Sequence, residues 1–506
     1  MSELEQQLAN NNANIGDFIY IQKNIPFTLI DEELEDSGMY NARMQQIQKW
    51  YDIYKKGAEF NTEGTNGDYE PAKLKFKKAA RLINKEARFL FGQTPDMIVD
   101  ARGDISATAE GTKKMIDAFQ EYVKTVMDKN NIGKQLLISA KDCFVGGMVG
   151  VYLNFNEETG IKLTFLDAKQ FIFENKMDNS DELSKFVAFT IINEDTQLRN
   201  RRIFKKKYEL QKEKDKYVCY VQENIYDGTG DLVKEVTPYQ KTEFDRIPAV
   251  VICNDGLLAD MYGESEVDML SESESWYNKL SSSDIDAGRK GMNAIRYTID
   301  MDSNSTQALT TGPGSFWDLQ SDQNLTESRP AVGTLEPSMS YSEPLQNTLE
   351  RIDNEMYDMI DIPNINIESM KGTITSGKAL KALYWGLVVR CNEKLKTWGP
   401  KLQYLVECII DGAILYPNCI KQYTDEHLSP INYEVKIIPN YPLPEDEQEE
   451  KQMDMLEVQG GTMSRLAYMK KWRELTDEEA QEELDEMSKE KSQQMHDEDS
   501  DLNNLY

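Results

Sequence analysis

The stretch whose residue types come nearest to a known chemistry is Gly372-Thr373-Ile374-Thr375-Ser376-Gly377-Lys378-Ala379. It almost matches the phosphate-binding pattern G-x-x-x-x-G-K-[ST], in which backbone N–H groups cradle phosphates at a helix N-terminus. Ala379 stands where a Ser or Thr hydroxyl must hold Mg²⁺, and the preceding Asn366-Ile367-Glu368-Ser369-Met370-Lys371 is no buried strand. No apolar strand ending in Asp supplies the second metal ligand. The stretch therefore reads as a helix start capped by Thr375 or Ser376. Two histidines, His427 and His496, are too few for a His-based triad or zinc site. Gly228-Thr229-Gly230 lacks the third glycine and the βαβ setting of a dinucleotide fingerprint. Among 88 acidic residues no carboxylate pair stands out for acid/base work. The sequence supports no enzyme and implies no cofactor and no metal.

The elements that would position any site must come from 506 residues, a length of about three domains. The balance of 57 Lys/Arg against 88 Asp/Glu gives a net charge of −31. That excludes a protein that coats nucleic acid through a basic face, and attachment to an anionic membrane surface. A hydrophobic share of 40% with 9% aromatics excludes wholesale disorder. The start, Met1-Ser2-Glu3-Leu4-Glu5, has no signal-peptide character, and no apolar run is long enough to span a bilayer. Six cysteines without a C-x-x-C pair are expected to be reduced, mostly buried thiols of a cytoplasmic protein.

The first half reads as α+β. A helix is expected around Asn41–Lys56, and a second from about Pro71 to Phe91, carrying seven basic residues and one acid. A helical stretch over Ile116–Lys141 is broken by Gly146-Gly147. Strands follow at Val149–Phe155, Ile161–Phe165, Phe171–Glu174, Phe186–Asn193, Tyr217–Ile225, Leu232–Thr237 and Ile247–Cys253, with hairpin loops at 156–160 and 226–231. The second half turns helical. Ser265–Ala287 is expected as a helix, 288–340 as a Gly/Ser/Thr/Pro-rich excursion holding a strand at Ala294–Ile299. A returning helix from Ser342 aligns Leu345, Leu349, Ile352 and Met356. Pro363 ends it. Ser376–Tyr416 repeats Leu380, Leu383, Leu387, Cys391, Trp398, Leu402, Leu405 and Ile409 at helical spacing, with a kink or break expected at Pro400. Residues 441–506 hold twenty acidic and seven basic residues, yet Met463–Trp472 has helical character and Thr476–Glu479 forms a capping box.

Four short motifs occur in an informative order. Phe91-Gly92-Gln93-Thr94-Pro95 closes the basic helix, and Ile247-Pro248-Ala249-Val250-Val251 precedes Gly263-Glu264-Ser265-Glu266-Val267. Thr375-Ser376-Gly377-Lys378-Ala379-Leu380-Lys381 opens the long helix, and Gly461-Thr462-Met463-Ser464 opens the tail helices. In this order the chain resembles the portal proteins of tailed bacteriophages, of the Gram-positive siphophage type, over nearly its whole length. Trp472–Glu474 departs from the pattern, which has a proline-containing linker there.

The resemblance implies an α+β portal protomer: a wing from 1–260 completed by 376–440, a stem helix over 261–290 and a clip at 291–339. A returning stem helix over 340–362, a tunnel loop at 363–375 and an acidic helical crown at 441–506 complete it. It implies a closed ring of this chain, usually of twelve copies, at one capsid vertex in the virion, assembled in the host cytoplasm. Double-stranded DNA would pass through without sequence specificity, pumped by a separate terminase. The other implied partners are the terminase large subunit, a head–tail adaptor, and the major capsid and scaffolding proteins, with no membrane. Asn364, Asn366, Glu368 and Lys371 would form the loop collar around DNA. Glu264, Asp268, Glu272 and Glu274 of the stem helix would line the tunnel, repelling phosphate rather than gripping it. The same face could instead be solvated or lie between subunits. A second reading, an acidic helical scaffold or adaptor of a virion that never contacts DNA, shares the lack of catalysis but needs no closed ring.

Overall fold

The computed structural model of the chain describes residues 25–34, 37–62, 70–102, 110–192, 200–214, 216–257, 262–292, 295–302, 331–335, 339–364, 381–419, 428–443, 447–473 and 479–487, with single positions 320, 329, 421 and 423. The chain divides into two compact units: Met1–Asn364 with Gly386–Tyr441, and Ile365–Trp385 with Pro442–Tyr506.

The first unit begins with helices α1 (Phe27–Asp31), α2 (Ser37–Lys56) and α3 (Lys78–Phe91), then strand β1 (Asp96–Ala101) and helices α4 (Glu110–Lys129) and α5 (Ile132–Gly146). Two expectations are corrected here. The helical stretch over 116–141 is two helices, because Asn131 takes a left-handed φ of 50° between them, a conformation asparagine tolerates better than most residues. The basic helix starts at Lys78 rather than near Pro71, because residues 70–77 are extended and bound elsewhere through their backbone.

Eight strands follow: β2 (Met148–Asn156), β3 (Gly160–Asp167), β4 (Phe171–Asn175), β5 (Leu183–Ile192), β6 (Arg202–Glu213), β7 (Lys216–Asp227), β8 (Leu232–Lys241) and β9 (Ala249–Cys253). They form two antiparallel sheets, ordered β3-β2-β9 and β4-β5-β6-β7-β8. Both expected hairpins are present, each closed by an Asx turn. Asn156 Oδ1 accepts the N–H groups of Glu158 and Thr159, and Asp227 Oδ1 those of Thr229 and Asp231. Tyr208 Oη donates to the Leu153 carbonyl at 2.9 Å, tying the sheets together. Phe171 stacks on Phe186 at 5.7 Å and lies against Gly150, where a Cβ would come within 2.9 Å of its ring.

Helix α6 (Glu266–Met292) leads to strands β10 (Ile295–Ile299) and β11 (Ala331–Leu335), which pair antiparallel as a two-stranded ribbon. Helix α7 (Ser342–Asp358) returns, and α8 (Trp385–Leu415) and β12 (Tyr433–Ile438) follow. β12 pairs antiparallel with β1. Helix α8 buries Leu387, Cys391, Trp398, Leu402, Leu405 and Ile409 of the stripe expected from the sequence, whereas Leu383 is 41% exposed and Leu380 lies outside the described residues. Of the kink or break expected at Pro400 no break is present, since the helix runs through it. The carbonyl that Pro400 leaves without its usual donor belongs to Lys396, and both residues are exposed, so water can take the bond. Gly412 lets α8 approach β2, where a Cβ would overlap the Phe155 ring. The six cysteines are free, five of them buried.

The second unit contains α9 (Glu447–Gly460) and α10 (Arg465–Arg473), with 479–487 also helical. Gly461, at φ 76°, ends α9, and Ser464 Oγ caps α10 by accepting the Ala467 N–H at 3.1 Å. Trp472 Nε1 donates to Asp454 at 2.8 Å, holding the two helices together. Thr476 lies outside the described residues.

Candidate functional site around helix α6

Two glycines set the entry to α6. The backbones at Gly147 and Gly263 run so close that a Cβ on Gly263 would strike the Gly147 carbonyl. Asn254 N–H donates to that carbonyl, and Glu264 N–H donates to Asn254 O. Ser265 Oγ donates to the Val145 carbonyl at 2.6 Å and accepts the Val267 N–H at 3.2 Å, capping the helix. Val267 and Leu270 are fully buried behind it. The motif Gly263-Glu264-Ser265-Glu266-Val267 thus consists of a close crossing, a cap and a core anchor, with Glu266 reserved for a different task.

That task is a buried ion cluster joining three helices. Lys394 Nζ of α8 lies 2.6 Å from Glu266 Oε1, 2.7 Å from Asn254 Oδ1 and 3.2 Å from Asp255 Oδ2. Arg390, one turn earlier, donates to Glu86 of α3 at 2.8 Å and to Glu266 at 3.0 Å. Glu86 is 0% exposed, Glu266 2% and Lys394 2%. Burial and the adjacent Glu266 charge push the Glu86 carboxyl up to about 8. Glu266 pays the same burial but is held below the usual carboxylate range by Lys394, by a hydrogen bond from Glu86 and by Arg390. At neutral pH the two carboxyls thus hold one proton between them. With Glu86 protonated, the two cations are balanced by Glu266 and by Asp255, which is exposed at the rim of the cluster. Next along α8, Trp398 packs edge-on against Phe91 at 4.9 Å.

On another side of α6, polar residues at four-residue intervals hold the extended segment. Asp286 accepts the Ala72 N–H, Ser282 Oγ the Leu74 N–H, Asn278 Oδ1 the Phe76 N–H and Glu274 Oε2 the Ala79 N–H, all between 2.8 and 3.1 Å. Two extended residues advance about 6.7 Å and four helical residues about 6 Å, so the two repeats stay in step over three rungs. A helix starting at Pro71 would turn the N–H groups of Ala72, Leu74 and Phe76 out of line with this ladder, which is why α3 begins only at Lys78. Glu274 also accepts the Ala58 N–H at 3.0 Å, and Asn278 Nδ2 donates to the Ala58 carbonyl at 3.0 Å.

The expected tunnel-lining residues do not share one environment. Glu264, Asp268 and Glu272 are exposed, with Asp268 accepting from Trp50 Nε1 at 2.8 Å. Glu274 is a correction: it is 0% exposed, and burial raises its carboxyl despite the N–H groups of Ala79 and Ala58. The reason is angular. Two residues along a helix turn about 200°, so Glu272 and Glu274 point to opposite sides. Of the loop residues, Asn364 donates from Nδ2 to Asn354 Oδ1 at 2.9 Å. Asn366, Glu368 and Lys371 lie outside the described residues, as do Gly372–Lys378 and both histidines. Among the described residues no group of three or more His, Cys, Asp or Glu is arranged to hold a metal ion, and no helix is long and apolar enough to cross a membrane.

The sequence reading passed over the cluster, although it left a signal. Arg390 and Lys394 stand four apart on an otherwise apolar stripe of α8, an anomaly that calls for buried acids. The polar repeat Glu274, Asn278, Ser282, Asp286 was equally visible, but its partner segment looked helical.

The buried ions around α6 join helices, and comparison with known families gives the class of the protein: a structural protein of the tailed-phage head. Residues 36–497 match the family model described as phage portal protein, SPP1 Gp6-like, and the chain belongs to that family. No curated protein matches the chain. The family is structural, its members assemble as a ring in the phage head, and the protein is a virion component.

Proposed function

We propose that this chain forms the ring at one capsid vertex through which double-stranded DNA enters during packaging and leaves on ejection, and on which the terminase large subunit and a head–tail adaptor dock. The observation that carries this reading is the family match over residues 36–497, which takes in both units of the chain. In this reading residues 1–260 and 376–440 form the wing, α6 and α7 the stem, 291–339 the clip and 441–506 the crown. The ring would be a dodecamer, assembled with capsid and scaffolding proteins in the host cytoplasm.

The tunnel loop, 363–375, contributes Asn364, Asn366, Glu368 and Lys371 to a collar around DNA. Exposed Glu264, Asp268 and Glu272 remain available to the lumen or to a neighbouring copy, whereas buried Glu274 serves neither. The short β10–β11 ribbon fits the clip, since a two-stranded ribbon needs further packing for stability. Silencing the gene during infection is expected to leave heads without DNA. Normal DNA-filled heads made without this chain would contradict the reading.

A further inference from the structure

The chain is strongly acidic, yet the start of α3 and the segment before it present an exposed basic ridge. Lys73 and Lys77 project from the extended segment, and Arg81 continues the ridge one turn along α3. Among the described residues none of the three has a carboxylate partner, whereas their neighbours Lys75 and Lys78 are paired with Glu59 and Asp353. Leu74 and Phe76, 36% and 41% exposed, alternate with these lysines and belong to the other face of the segment, where Phe76 packs edge-on against Tyr277 at 5.5 Å.

Helix α6 carries the complementary surface on another side. Glu272 and Trp276 lie two residues either way from Glu274, about 200° round the helix from the carboxylate that holds the end of the basic segment. Both are exposed, Trp276 at 50%, and Met269 beside them at 43%. Glu264 extends the acidic surface just before the helix, while Lys279 is engaged over the Trp276 ring at 5.2 Å. One protomer thus offers a basic surface and, on another side, an acidic surface that carries apolar residues.

Surfaces that match each other but not themselves make a heterologous contact, and repeating that contact closes a ring or grows a filament. We propose that the basic ridge Lys73, Lys77 and Arg81 docks on the Glu264, Glu272 and Trp276 face of the next copy, and that this pairing sets the direction of assembly. The proposal rests on the ring reading above and deepens it by naming the two faces. Trp276 supplies the buried anchor, since large aromatic residues dominate such contacts. The charges set orientation and exclude the reversed arrangement.

The test is a charge swap read by negative-stain microscopy and sedimentation. The basic-side variant K73E/K77E/R81E and the acidic-side variant E264K/E272K are each expected to lose at least tenfold in ring fraction. An equimolar mixture restores rings, because each variant then carries two like surfaces that match only the other variant. The mixture also controls for folding, as a misfolded partner could not rescue. Raising the salt weakens wild-type assembly. Rings that survive both single-side variants overturn the pairing, and if DNA passage alone then fails, the ridge contacts DNA instead. Folded variants that never rescue each other, beside wild-type rings, also overturn it while leaving the ring reading standing. Absence of wild-type rings at any concentration overturns the ring reading itself.

Discussion

Helix α6 uses carboxylates in opposite ways on its two sides. Glu266 and Glu274 are buried and bound within the protomer, one by Lys394 and Arg390, the other by backbone N–H groups of Ala58 and Ala79. Glu264 and Glu272 stand in solvent. The difference teaches that acidic composition alone says little about a tunnel surface. Of the five carboxylates between residues 264 and 274, Glu266 and Glu274 hold the protomer together while Glu264, Asp268 and Glu272 are exposed, and within the helix its phase decides which does which.

The buried side of α6 is most sensitive at Lys394. Lys394→Met leaves Glu266 buried with a weakened partner set, and stability is expected to fall by about 3–5 kcal/mol, measured as a lowered urea midpoint at fixed protein concentration. An unchanged midpoint would mean that the cluster is hydrated. A smaller loss is expected from Glu274→Ala. It orphans two buried N–H groups and should cost about 1–3 kcal/mol by the same measurement, together with faster proteolysis within residues 70–77.

Glu86 gives a pH signature. Its carboxyl sits at about 8 in the folded chain against 4.5 for the free group, so the folded state holds the extra proton between those values. The stability this contributes is complete below pH 4.5 and is lost as pH rises toward 8, with a slope of at most about 1.4 kcal/mol per pH unit. Glu266, held low, contributes with the opposite sign, losing its part as pH falls through its own value. Denaturation between pH 5 and 9 should therefore show a decline that Glu86→Gln flattens. A variant that keeps the wild-type slope would place the proton elsewhere. The smallest effect belongs to Glu272→Gln, which should move protomer stability by less than about 0.5 kcal/mol. A loss as large as that of Glu274→Ala would erase the distinction between the two sides.

Much of the fold was legible because its signals are local. Alternation and Asx-rich loops revealed the β2–β3 and β7–β8 hairpins, and the Leu387-to-Ile409 stripe revealed the buried face of α8. Strand β6 was missed because Arg202-Ile203-Phe204-Lys205-Lys206-Lys207 reads as a charged run. Lys205 and Lys206 are buried because Glu33, distant in sequence, and Glu223, opposite on β7, meet them at 2.9 Å. The β1–β12 pair escaped for the same reason. Residues 70–77 misled more subtly, since Lys73, Lys77, Arg81, Lys85 and Arg88 keep helical spacing. Competition for the backbone N–H groups by the α6 ladder is a tertiary effect that no local pattern records. At the candidate site, Gly263 and Ser265 were found through a motif, while Glu86, Arg390 and Lys394 required the meeting of three helices.

The central claim is that this portal-family chain assembles into a ring with an open centre. Negative-stain electron microscopy of the purified protein, with class averages viewed down the particle axis, tests it most directly. The account predicts closed rings of about a dozen copies around a continuous channel. Monomers or small dimers persisting at high concentration would contradict it and return the protein to the reading of an acidic helical scaffold.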